Sequence, residues 1–165
     1  MPAADDIARI IEQEETLVFP AFDEAVAWQL GSRLRDMALA RGLAINIDIR
    51  SWDRPLFYAA LPGSTASNHD WARRKINTVR HFQKASYRVF LEQGGEQVVP
   101  ARHGLPVDQF VLAGGGFPIR VAGVAGPIGA VAISGLPSRT DHSTVVEALA
   151  AQLGLDPAGL ALAAE

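Results

Sequence analysis

Cysteine is absent from all 165 residues. That rules out disulfide frameworks, thiolate zinc sites and cysteine nucleophiles. Excess charge is missing as well: the formal net charge is −3. Nucleic acid and anionic membrane, which are usually met with basic patches, are therefore not expected as partners. No apolar run approaches the ~20 residues that span a bilayer. The opening Met1-Pro2-Ala3-Ala4-Asp5-Asp6 has neither the basic nor the apolar region of a signal peptide. The expectation is a cytoplasmic protein.

Several catalytic signatures are also missing. Gly114-Gly115-Gly116 is not followed by the Lys-Ser/Thr of a P-loop, and Ser134-Gly135 lacks the G-x-S-x-G frame of a nucleophile elbow. His69, His81, His103 and His142 are scattered without ligand spacing, so no metal site is expected.

What is present reads as an ordinary globular composition, 48% hydrophobic and 20% charged. The length suits one domain over 1–165, with its core at about 7–153 and a short tail over 154–165. Apolar spacing predicts a helix through Ile7, Ile10 and Ile11, broken at Val18-Phe19-Pro20. A second helix runs from Asp23 or Glu24 to Ala40 and stops at Gly42. Leu43 to Arg50 alternates at period two, which is the strand pattern, and Leu56 to Leu61 reads as its partner. A helix follows from near Asn68 or Asp70, continuing or restarting through Tyr87, Phe90 and Leu91. Phe117–Val124 and Ile128–Ser134 form an expected antiparallel pair, with one more strand possible in principle at Gln109–Ala113. Thr140 or Asp141 caps a last helix, and Asp156-Pro157 starts a short one. Short turns between consecutive strands imply an α/β (α+β) fold with a mainly antiparallel sheet.

Three groups of residues could carry chemistry. The run Gly114-Gly115-Gly116-Phe117-Pro118 combines free φ with exposed N–H groups, the ingredients of an anion-binding nest; the plainer reading is a loop crowded against the sheet. Lys75 lies one turn from Trp71 and one from Val79, so it either snorkels from the edge of the core or projects into a pocket, with Arg74 beside it. Asp48 and Arg50 share the polar face of a strand, where cross-strand pairing is the plain outcome.

Leu17-Val18-Phe19-Pro20, Ile47-Asp48-Ile49-Arg50, Ala60-Leu61-Pro62-Gly63-Ser64-Thr65 and Trp71-x-x-Arg74-Lys75 together resemble one family. So do Gly115 to Arg120, Ile133 to Pro137, and Asp141-His142. The resemblance is to the uncharacterised branch of the haem-degrading-domain proteins, the HbpS-like and GlcG-like group, over roughly Ile7 to Leu153. It implies a profilin-like three-layer α/β/α fold with about five strands. It also implies dimers or larger assemblies, and haem as one candidate ligand. Relatives in the branch often carry a histidine where this chain has Ala113.

The expected site is a pocket between the long helix and the glycine loop for a small anionic molecule, haem included. Trp71, Phe82 and Phe117 would form its apolar wall. Arg74, Lys75 and the amides of Gly114, Gly115 and Gly116 would supply positive potential, with Pro118, Asp141 and His142 close by. Two alternatives stand beside this binding module. One is a cofactor-independent enzyme on a small carboxylate or carbonyl metabolite, with Lys75 as the candidate catalytic group. The other is an oligomeric interaction protein without a ligand. A homo-oligomer is expected from the resemblance and from the Ala- and Leu-rich stretch Leu155–Ala164. A salt bridge from Lys75 to Asp48 or Asp141 would remove the need for an anion.

Overall fold

A computed structural model describes residues 2–165, apart from the side chain of Pro2. Its elements in chain order are α1 (Pro2–Thr16), β1 (Val18–Phe19), α2 (Glu24–Arg41), β2 (Asn46–Ser51), β3 (Arg54–Ala60), α3 (Ala66–Phe82) and α4 (Ser86–Glu92). After a 3₁₀ turn at Ala101–His103 come β4 (Gly116–Val121), β5 (Gly129–Ser134), α5 (Ser138–Gln152) and α6 (Pro157–Leu160). The strands form one sheet in the order β1-β4-β5-β2-β3. Every pairing is antiparallel except that of β1 with β4. The fold is mixed α/β with a mostly antiparallel sheet, as expected.

Alternation along β5, the central strand, separates the layers. Val131 and Ile133 join the large apolar core with Ile45, Ile47, Ile49, Leu30, Leu34, Val145 and Leu149, so α2 and α5 cover that face. Ala130 and Ala132 point the other way, against Ala72, Ile76 and Val79 of α3. Small residues on that face let α3 lie close to the sheet. At Gly116 the approach is closest: a Cβ there would sit 3.0 Å from Val79 Cγ2 and 3.1 Å from the Lys75 carbonyl oxygen.

Helix boundaries follow local chemistry. Asp23 accepts from the Val26 N–H at 2.9 Å, and Gly42 closes α2 in the left-handed conformation. α3 begins earlier than its apolar stripe implies, because Thr65 and Asn68 cap it reciprocally. Asp141, expected as a cap, instead lies inside the first turn of α5, which Pro137 leads without a side-chain cap.

The additional strand that the sequence left open at Gln109–Ala113 does not form. Side chains of α3 and α4 take its carbonyls: Asn77 donates to Gln109 O at 2.7 Å, Arg74 to Phe110 O at 3.1 Å, Thr78 to Val111 O at 2.8 Å, and Ser86 to Ala113 O. A backbone satisfied this way needs no ladder. The fifth strand is β1, a segment that reads in the sequence only as a helix breaker. On β2, Arg50 makes a bidentate pair with Asp48 at 2.9 and 3.0 Å, along the strand and not across it.

The tail is docked through two leucines, while Leu155 is 39% exposed and Ala161, Ala163 and Ala164 stay on the surface. Leu160 is buried in the main core, Leu162 packs against it, and Gln13 of α1 donates to the Leu160 carbonyl at 2.7 Å.

Candidate functional site

Among the described residues, Lys75 is the largest of the most deeply buried side chains, at 2% relative exposure. It does not snorkel. Its ammonium donates to Asp141 Oδ2 and to the Ile133 carbonyl, each at 2.9 Å. Asp141 Oδ1 accepts from the Leu136 N–H at 3.2 Å, which fixes the carboxylate across the β5–α5 turn. One ion pair thus fastens α3, the end of β5 and the start of α5 together.

Gly115 explains why a glycine faces this pair. Its φ is +123°, and a Cβ would fall 2.4 Å from the Ile133 carbonyl oxygen and 2.9 Å from Lys75 Nζ. Any side chain would displace the ammonium from its partners.

The pair borders a cleft of ≈ 410 Å³. α3 contributes Ser67, Asn68, Trp71 and Lys75; the β5–α5 turn contributes Ser134 through Ser138; Asp141, Gln97 and Ala113 complete the lining. Burial draws Lys75 below its ordinary value, against the opposing pull of Asp141. Asp141 is pushed up to about 6 by burial, despite Lys75 and the N–H groups of Leu136 and Gly135 favouring its charged form. Both groups lean toward neutrality. Transfer of one proton from Nζ to the carboxylate gives an amine and a carboxylic acid within hydrogen-bond distance.

Of the residues expected to form the site, Trp71, Lys75 and Asp141 line this cleft. The others are used elsewhere. Arg74 is tied to Val107 O at 2.9 Å and Phe110 O at 3.1 Å, bracing the loop over α3. The N–H of Gly114 donates to the Ser138 hydroxyl and that of Gly116 to Ser86 at 2.9 Å, while the Gly115 carbonyl accepts from Ile133 N–H at 3.1 Å. The crowded-loop reading of the glycine run therefore describes it better than an open nest. Phe117 and Pro118 are buried in β4, and Phe82 packs with Val89, Val99 and Leu112; none of the three walls the cleft.

His142 faces the core. Its Nε2 lies 2.8 Å from Gln13 Oε1, and its ring packs near Tyr87 and Phe117. Because the Gln13 amide nitrogen donates to Leu160 O, its oxygen is the acceptor and Nε2 carries the imidazole proton. Nδ1 is buried with no hydrogen-bond partner among the described residues. Burial pulls the imidazole down to about 3, with a smaller push from Arg139.

Ser67, Asn68, Gln97 and the Ser134–Ser138 turn are cleft residues that sequence reasoning missed. The turn was visible as Ile133 to Pro137 but carried no recognised catalytic frame. Asn68 read only as a helix start.

Two expectations change with this geometry. The two supports for an anion are gone, since Asp141 answers the Lys75 charge and at least two of the three glycine amides already donate. Haem does not fit the cleft either. Its iron is held by His, Cys, Met or Tyr, and among the described residues the lining contains none of these, with Trp71 its one aromatic.

Comparison with known proteins places the chain. Residues 22–150 match a family described as haem degrading protein HbpS-like. A UPF0303 protein of Mesorhizobium japonicum is 59% identical over 166 residues, covering 100% of this chain and 99% of that one. Among solved structures, the Ybr137w protein superposes with a TM-score of 0.81 at 23% identity, over 88% of this chain and 86% of that one. The structure titled PduOC:Heme Complex gives 0.64 at 19% identity, over 79% and 94%. These structural likenesses establish a shared fold.

Proposed function

Given that the chain belongs to the HbpS-like haem-degrading-protein family, we propose that it binds a small polar molecule in the cleft beside Lys75 and Asp141. The observation that carries this reading is the buried ion pair on the wall of a cavity whose other lining combines three serine hydroxyls, two side-chain amides and one indole with the apolar Ala113, Leu136 and Pro137. A buried charge pair is costly to desolvate and weak as a stabiliser. Its place at a cleft is better matched to ligand recognition than to packing. The lining favours a neutral, hydrogen-bonding molecule over a carboxylate, phosphate or haem propionate, because Asp141 compensates the only lysine it contains.

The test is a fragment screen by NMR that reads the Trp71 indole N–H and the Asn68 side-chain amide. Ligands of this class should shift both. Perturbations confined to another hollow, such as that beside His81 and Phe110, would overturn the assignment. A haem titration belongs with it. A Soret band lost on His81→Ala would move haem to that second hollow.

We also expect a homo-oligomer. Its support is the free outer edge of β3, flanked by exposed aromatics: Trp28 at 65% beside Phe57, and Tyr58 at 46%. Light scattering at micromolar concentration should give a mass above one chain. A monomer would remove this expectation without touching the cleft.

A further inference from the structure

Thirteen of the fifteen cationic side chains in this protein are arginines; the two lysines are Lys75 and Lys84. The cation buried at the cleft is one of those two. Arginine holds its proton under all ordinary conditions, whereas a lysine can give it up and become a nucleophile. Electrostatic pairing to Asp141 would be served as well or better by a guanidinium. A proton-releasing amine is what only the lysine supplies here.

We propose that Lys75 captures small hydroxylated aldehydes or ketones as an imine, with Asp141 passing the proton. This rests on the cleft being the ligand site. The Lys75 ammonium first gives a proton to the Asp141 carboxylate, 2.9 Å away. The amine lone pair then attacks the carbonyl carbon, and the carbonyl π pair moves to oxygen. Proton transfer from nitrogen to that oxygen gives a carbinolamine. The Asp141 carboxyl protonates the departing hydroxyl, the C–O bond breaks and the C=N bond forms. The sum is ammonium plus carbonyl going to a protonated imine plus one water, with the Asp141 carboxylate restored beside it and no oxidant or reductant consumed. Burial supports the chemistry, since it favours both the uncharged amine and the protonated acid. Ser67, Asn68, Ser134 and Ser138 match the hydroxyl groups of a short polyol-like carbonyl compound.

Lys84 is the internal control. It is a surface lysine, 35% exposed and paired with Glu92. The full chain is incubated with glyceraldehyde and sodium cyanoborohydride, and reduced adducts are located by peptide mass mapping. Modification of Lys75 should run at least tenfold faster than that of Lys84, and Asp141→Asn should slow it by at least tenfold. Labelling only of Lys84 and the chain amine would overturn the proposal. Glycerol, which has the hydroxyls but no carbonyl, is titrated in parallel against the Trp71 indole signal. If glycerol shifts that signal and Lys75 stays unlabelled, the cleft binds polar molecules and imine formation is refuted. If neither probe shifts Trp71 and no Lys75 adduct forms, the cleft assignment falls as well. Should Asp141→Asn fail to fold, the wild-type ratio of Lys75 to Lys84 labelling decides alone.

Discussion

Asp141 lines the cleft and holds Lys75, whereas His142, one residue further on, is turned into the core against Phe117 and Tyr87. Successive residues of a helix point about 100° apart, and on α5 that rotation separates two kinds of buried ionisable group. Asp141 has a charged partner and an opening to solvent at its side. His142 has one amide partner, an idle Nδ1 and no opening. Burial pushes both toward their neutral forms, so the acid moves up and the base moves down. The paired charge lies on the wall of a cavity, where the proposed ligand would meet it. An unpaired neutral ring in a closed core is arranged to lock α1, α5 and the tail together.

Acid titration sharpens this contrast most. His142 stays unprotonated in the fold down to about pH 3, while in the unfolded chain it takes up a proton near 6.5. The unfolded state thus binds more protons through that window. The stability contribution of His142 is complete above 6.5 and is lost as pH falls toward 3, by about 4–5 kcal/mol in all. Urea midpoints measured from pH 7 to 4 should lose this slope in His142→Leu.

Removing one partner of the ion pair comes next. Asp141→Ala leaves Lys75 buried beside the Ile133 carbonyl alone and should cost about 3–5 kcal/mol. Lys75→Met with Asp141→Leu should recover most of that loss, because no charge is then buried. A double variant as unstable as the single one would show the pair to be a structural clamp after all.

The sign of the Asp141 titration is opposite to that of His142. Its carboxyl is pushed up from 3.8 to about 6, so the folded state binds more protons between those values. That contribution is present below 3.8 and fades as pH rises through 6, by about 3 kcal/mol. In His142→Leu, where the steeper opposing slope is gone, stability should therefore rise on acidification from pH 6.5 to 4. A flat profile would place Asp141 closer to solvent than its burial indicates.

The smallest effect concerns the amide between helix and tail. Gln13→Leu deprives the Nε2–H of His142 and the carbonyl of Leu160 of their shared partner, at about 1–3 kcal/mol. Hydrogen exchange in α6 should accelerate, while the Trp71 signal at the cleft stays where it is. A shifted Trp71 signal would mean that the two regions are coupled.

Much of this protein was legible without coordinates, because its strands and helices announce themselves locally. The alternation Ile45, Ile47, Ile49, the Asp23 and Gly42 boundaries of α2, and the pairing of β4 with β5 all rest on patterns a few residues long. β1 was hidden because two residues carry no period, and they pair with a strand about a hundred positions away. The loop at Gln109–Ala113 misled for the converse reason: its apolar residues read as a strand, but its carbonyls had donors on α3 and α4.

In the site, the sequence by itself determined which residues were unusual: a lysine at the edge of an apolar helix stripe, three glycines before a strand, and Asp141 at the start of a helix. Only the tertiary structure decided what they do to each other. Lys75 and Asp141 are 66 residues apart and meet because α3 and α5 converge on one end of β5. The glycines turned out to make room for the ammonium instead of competing with it for an anion. A side chain's type sets the chemistry it can perform, but its protonation and its partner depend on burial and distance, and those exist only once the layers have packed.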